Sequence, residues 1–240
     1  MKHLRPSMIA VATCAALVTL ATTTAYAVPL DNAFVAQPYL DKSLPGTTVA
    51  ARPELAGVVL ADTMQPFTFS GMALSGTVQN RVVREAGTGT LDFYWRVLVD
   101  PASTGGRISA FRLGNFGYSY LTDADWRLDG LGTVAPFVGR LFNPSGRPDG
   151  AINFLFTDPR VGPSDLTTGV GGSRFFFLHT DATAYAMTAS YDLLGGPNQT
   201  LSGSYATYAP ALSVPEPASA LLMALGLPAL AFLLRRRTRA

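Results

Sequence analysis

The stretch Gly89-Thr90-Leu91-Asp92-Phe93-Tyr94-Trp95-Arg96-Val97-Leu98-Val99 decides the fold. Successive side chains of a strand point to opposite faces, so residues two apart share a face. Leu91, Phe93, Trp95, Val97 and Val99 make one wholly apolar face. Thr90, Asp92, Tyr94, Arg96 and Leu98 make the other. This alternation predicts a strand with the first face buried. Asp100-Pro101 ends it, because proline cannot donate to a ladder.

Similar short runs recur on both sides. Residues 55–60, 67–70 and 78–85 read as strands. Residues 107–113 alternate again, but Ile108, Phe111 and Leu113 break strict register. Residues 151–157 place Ile152, Phe154 and Phe156 on one side. Phe175-Phe176-Phe177-Leu178, within 174–180, is apolar on both faces, which predicts a central strand covered on both sides. Residues 183–191 and 200–208 complete the set, with a turn at Gly195-Gly196-Pro197-Asn198. Residues 28–53 read as an irregular lead-in with prolines at 29, 38, 45 and 53. No long helical pattern appears. The expectation is one all-β domain over residues 28–208, an antiparallel, jelly-roll-like sandwich, followed by a linker at 209–213.

The two ends read differently. Lys2 and Arg5 precede an apolar run over residues 8–20, and Ala25-Tyr26-Ala27 has the small-x-small pattern of a cleavage site. Residues 1–27 are therefore expected to be a secretory signal peptide, with Val28 as the mature start. At the other end Pro215-Glu216-Pro217 precedes 17 residues without charge, 218–234. That length is at the short end for a membrane span, about 17–25 residues. Arg235, Arg236, Arg237 and Arg239 follow, and positive charge stays on the cytoplasmic side. The tail is expected to anchor the exported domain in the inner membrane.

The order of these three parts over residues 214–240 resembles the PEP-CTERM sorting signal of Gram-negative bacteria. The resemblance implies an exosortase-type processing enzyme as partner. It makes Pro215, Glu216 and Pro217 the recognition residues. It also implies a cell-surface or extracellular destination and association with exopolysaccharide or biofilm. The phrases Gly89-Thr90-Leu91-Asp92-Phe93-Tyr94-Trp95 and Ser173-Arg174-Phe175-Phe176-Phe177-Leu178-His179-Thr180-Asp181 resemble segments of exported proteins of this kind.

Composition narrows the function of the domain itself. Cys14 is the sole cysteine and lies in the apolar run at the start, so the mature domain has no disulfide or thiolate chemistry. The full chain carries a net +2, but the two tails supply the excess. Residues 28–213 hold 12 basic and 15 acidic side chains, a net −3. No clustered basic face for nucleic acid is present. His179 is the only histidine after cleavage, and a lone histidine falls short of the three or four ligands of a usual zinc site. Asp123, Asp125 and Asp129 form the densest acidic cluster. They fail the EF-hand pattern, since Arg127 and Leu128 occupy the ligand and glycine positions. No metal or cofactor is expected, and these aspartates are only weak candidates. No Gly-x-Ser-x-Gly elbow precedes a helix. Glu54, Glu85 and the aspartates could supply a carboxylate pair only if the fold brings two of them together.

The reading is a non-catalytic, exported surface or matrix protein. The alternative is a carbohydrate- or calcium-dependent binding module, for which Trp95, Trp126 and the tyrosines would have to form an exposed platform. A secreted hydrolase ranks last.

Overall fold

The computed structural model describes residues 28–29, 38–117, 121–143, 151–158, 162–163, 166–167, 171–196 and 199–211. The described chain is nearly all β. In order it forms β1 (Val28–Pro29), β2 (Tyr39–Ser43), β3 (Gly57–Thr68), β4 (Ser75–Glu85), β5 (Leu91–Val99) and β6 (Arg107–Gly114). Then come β7 (Leu121–Trp126), β8 (Val138–Phe142), β9 (Ile152–Leu155), β10 (Thr157–Asp158) and β11 (Gly162–Pro163). β12 (Leu166–Thr167), β13 (Phe176–Thr180), β14 (Ala184–Gly196), β15 (Thr200–Leu201) and β16 (Tyr205–Ala211) complete the chain. One sheet has the order β1-β7-β13-β5-β4-β3, and the second the order β15-β14-β6-β9-β8-β2. β16 pairs with β14, and β12 pairs with β6. All strand pairings within both sheets are antiparallel.

The apolar face of the deciding stretch is internal. Leu91, Phe93, Trp95, Val97 and Val99 join a core with Phe111, Leu113, Ile152, Phe154, Tyr191 and Leu193 of the other sheet. Trp95 is 1% exposed. Its ring meets Phe111 at 5.6 Å, Phe116 at 5.9 Å and Phe176 at 6.2 Å between centroids. Aromatic pairs at such spacings add to the stabilisation from burial.

The opposite face of β5 is also closed over its first half. Asp92 and Tyr94 are buried there, which single-faced alternation did not suggest. The reason is the segment after β2, which folds across the outside of the first sheet. Leu55 packs there with Val83, Tyr94, Phe175 and Phe177 in a second small core. The expected central strand does sit between β5 and β7.

Several elements depart from the sequence reading. The lead-in contains β1 and β2. The strands expected at 55–60 and 67–70 merge into one, β3 from Gly57 to Thr68, with a register shift between Val59 and Ala61, and Leu55 lies in a short 3-10 turn before it. β3 is an edge strand, where Pro66 is tolerated and exposure blurs the alternation. β7 and β8 were not anticipated. The broken register in β6 is a bulge: Leu194 faces Ala110 while Gly195 faces Ile108, so Ser109 is the extra residue. The Ser109 hydroxyl donates to the Leu194 carbonyl at 3.1 Å, and Ile108 and Phe111 both turn inward. β14 extends through Gly195-Gly196, and residues 200–208 are two strands, the second reaching Ala211.

Candidate functional site

The outer face of the first sheet carries a cluster of interacting ionisable side chains. Asp123 on β7, His179 on β13 and Asp92 on β5 are direct neighbours across the ladders. A one-residue register shift beside His179 re-aims this end of β7. Glu85 ends β4 on the same face. The hairpin to β5 closes tightly, with Glu85 N–H donating to Thr90 O at 3.0 Å and Gly89 at φ +76°. That turn lays the Thr88 and Thr90 hydroxyls against Glu85. Both donate to Oε2, Thr90 from 3.0 Å.

His179 Nδ1 lies 2.7 Å from Asp92 Oδ1 and 2.9 Å from Glu85 Oε1. Asp92 Oδ2 accepts the Tyr94 hydroxyl at 3.3 Å. Both carboxylate side chains are fully covered, while the imidazole keeps 18% of its surface. Burial pushes the Asp92 carboxyl up to about 6, against the pull of His179. Burial alone would lower His179. The Asp92 hydrogen bond and the charges of Asp92, Asp123 and Glu85 outweigh it and raise the imidazole above its ordinary value.

The segment over this face is held by the acidic residues the sequence singled out. Arg52 spans Glu54 at 2.7 Å and Asp123 at 3.2 Å, and lies over the Phe177 ring at 5.8 Å. Asp125 Oδ1 accepts the N–H groups of Gly46 at 2.7 Å and Trp126 at 2.9 Å. Burial raises its carboxyl to about 6. Asp129 accepts from Val49 N–H at 2.8 Å and pairs with Arg127 at 2.7 Å. The three weak calcium candidates thus each bind different partners and do not converge on one point. The aspartates of β7 face the covering segment, Asp125 binding Gly46 and Asp123 binding Arg52. Beside this loop a cleft of about 350 Å³ opens between Leu55, Val59, Arg81, Arg127, Leu131 and Phe175.

The two tryptophans do not form a platform. Trp95 is internal, and Trp126 donates its indole N–H to Leu44 O at 3.1 Å beneath the Arg174 guanidinium. Of the possible carboxylate pairs, the fold joins Glu85 with Asp92 around His179, while Glu54 is held by Arg52. Asp92 was legible as the polar face of a strand. Its partners were not, because register between distant strands is invisible in one sequence.

The cleavage residues Ala25 and Ala27, the motif Pro215-Glu216-Pro217, the apolar run and Arg235, Arg236, Arg237 and Arg239 lie outside the described residues. Among the described residues no helix is long and apolar enough to cross a membrane. The expected cut after Ala27 falls immediately before β1.

Residues 213–237 match the family model of the PEP-CTERM protein-sorting motif. The chain carries this sorting motif, and the motif indicates export, membrane anchoring and an exosortase-type processing partner. No curated protein and no solved structure matches the chain.

Proposed function

We propose that the β domain is a non-catalytic surface or extracellular-matrix module, a jelly-roll-like sandwich associated with exopolysaccharide after release from its tail. The observation that carries this reading is the junction between domain and tail. β16 ends at Ala211 and the sorting match begins at residue 213. The folded unit is thus delivered to the processing enzyme with almost no spacer, and cutting at the motif leaves both sheets whole. Among the described residues most aromatic rings lie in or against the core, with Tyr39 the exposed exception, which favours a structural part over sugar stacking. Arg52, Arg127 and His179 of the outer face are each engaged by acidic side chains.

The test uses tagged wild type and the triple variant Pro215→Ala, Glu216→Ala, Pro217→Ala in a host with the processing enzyme. Two prolines pre-set an extended segment and lower the entropy lost on recognition. Alanine instead favours backward growth of the apolar helix. Wild type is expected shortened and in the exopolysaccharide fraction, the variant full-length in the inner membrane. Equal mass and equal release would reduce the tail to an anchor. A shortened wild type absent from the polysaccharide would remove the matrix role.

A further inference from the structure

We propose that Glu85, Asp92 and His179 form a binding site for one divalent transition-metal cation, with zinc the best fit. These three residues offer ligand atoms that all lie within 4.8 Å of one another. They come from three adjacent strands of one sheet, β4, β5 and β13, so the backbone ladders hold them in place.

Each carboxylate is divided in the same way. Its outer oxygen is held by hydroxyls: Thr88 and Thr90 on Glu85 Oε2, Tyr94 on Asp92 Oδ2. Its inner oxygen is aimed at His179 Nδ1. Outer hydrogen bonds that fix the orientation of ligating groups are a recurrent feature of metal sites. Glu85 Oε1 supplies the independent sign. Glu85 is 2% exposed, and this oxygen accepts no hydrogen bond, although it lies 2.9 Å from Nδ1. Nδ1 carries at most one hydrogen, and Asp92 Oδ1 at 2.7 Å is the nearer of the two carboxylate oxygens that face it. Leaving a buried carboxylate oxygen unpaired is costly, and a cation would satisfy it.

Charge points the same way. Arg52 is occupied by Glu54 and Asp123 and does not reach this pair of carboxylates. Two carboxylates facing one imidazolium leave a net negative charge in a covered site. A dication with a neutral imidazole and two carboxylates is balanced. Donor atoms around a tetrahedral zinc at roughly 2.0–2.2 Å sit about 3.3–3.6 Å apart. Opening the present 2.7 and 2.9 Å contacts by about 0.4–0.9 Å reaches that spacing. The partly exposed imidazole leaves a route in and room for water as further ligands. Calcium fits poorly, since it takes about 6–8 oxygen ligands. The site is separate from the sorting tail and stands whatever the domain's destination.

Full-length protein in detergent, stripped with chelator, is titrated with zinc chloride, with manganese and calcium chlorides for comparison. Zinc is expected to bind one to one and raise Tm, and calcium to do neither. Protons compete for the imidazole and carboxylates, so zinc affinity should fall at least about tenfold from pH 7.5 to 5.5. Glu85→Gln and His179→Gln should each weaken zinc by at least about tenfold, the lower bound for loss of an outer-shell partner. Thr90→Val keeps all three ligands and removes one orienting bond, so it should weaken zinc by a smaller factor even if the ligand variants do not fold. No zinc uptake by wild type overturns the site. So does uptake of equal affinity in folded Glu85→Gln, His179→Gln or Thr90→Val.

Discussion

Trp95 on one sheet donates its indole N–H to Thr207 on the other, 2.8 Å across the core and 112 positions apart in sequence. Thr207 in turn donates to Asn80 Oδ1 at 2.9 Å, and Asn80 Nδ2 donates to the Val78 carbonyl at 3.2 Å. The thread joins β5, β16 and β4 through the core. Each polar atom in it is buried with a partner, so the network specifies how the two sheets align.

Trp95→Ala should lower stability by about 3–5 kcal/mol through the cavity it leaves. Thr207→Val should cost about 1–3 kcal/mol, because the indole N–H and the Asn80 carbonyl lose their partner while packing is kept. Urea unfolding of both variants measures this. A Thr207→Val midpoint equal to wild type would mean that water replaces the lost hydroxyl.

How much of this was legible follows from two neighbouring faces. The inward face of β5 was plain because period-two alternation is local and strong. The outward face was half misread. Asp92 and Tyr94 carry polar atoms and looked solvent-facing, yet a segment some forty residues upstream covers them. The same cause hid β7, whose Asp123 and Asp125 are stabilised by Arg52 and by Gly46 N–H. In sequence His179 stands alone, because Glu85 and Asp92 reach it only through strand pairing. The sorting tail needed no folding at all to be read, since its order of parts is linear.

Gly46 is the tightest hinge of the covering segment. Its φ is +82°, and a Cβ there would lie 2.4 Å from the Trp126 ring. Both facts disfavour a side chain. Gly46→Ala is expected to lift the segment from the sheet and break the Asp125 bond. Limited proteolysis should then cut within residues 44–56 at a markedly higher rate than in wild type. Equal cutting would show that the segment tolerates the added methyl by shifting whole.

Arg52→Ala tests the clamp from the other end. The side chain is 11% exposed and joins Glu54 to Asp123. Removing it leaves Asp123 without its cation beside Asp92 and His179. The expected cost is about 1–3 kcal/mol, that of a buried polar group stripped of its partner. Arg52→Lys should recover only part of it, since a lysine lacks the planar fork that reaches both carboxylates. Full recovery by lysine would mean that charge alone matters here.

Metal-free protein should become less stable as pH rises from about 5 to 8. Burial raises Asp125 from an ordinary 3.8 to about 6. Its native state therefore binds the proton more tightly than the unfolded chain does, and stability falls as pH rises between those two values. Asp92, raised likewise to about 6, acts in the same direction. His179 adds to the trend: its raised pKa gives stability that is complete below the unfolded value and lost as pH climbs through the folded one. Glu54 and Asp129 are held below their ordinary values, so their stabilisation is lost only at lower pH, as the medium becomes more acid than the carboxylate range. Asp125→Asn isolates one contribution. Its amide oxygen can still accept from Gly46 and Trp126, while the titrating proton is gone. Urea midpoints at pH 5, 6.5 and 8 in chelator should decline for wild type and decline less for Asp125→Asn. A wild type more stable at pH 8 than at pH 5 would reverse the assigned protonation, and parallel slopes for the two proteins would place the titrating groups elsewhere.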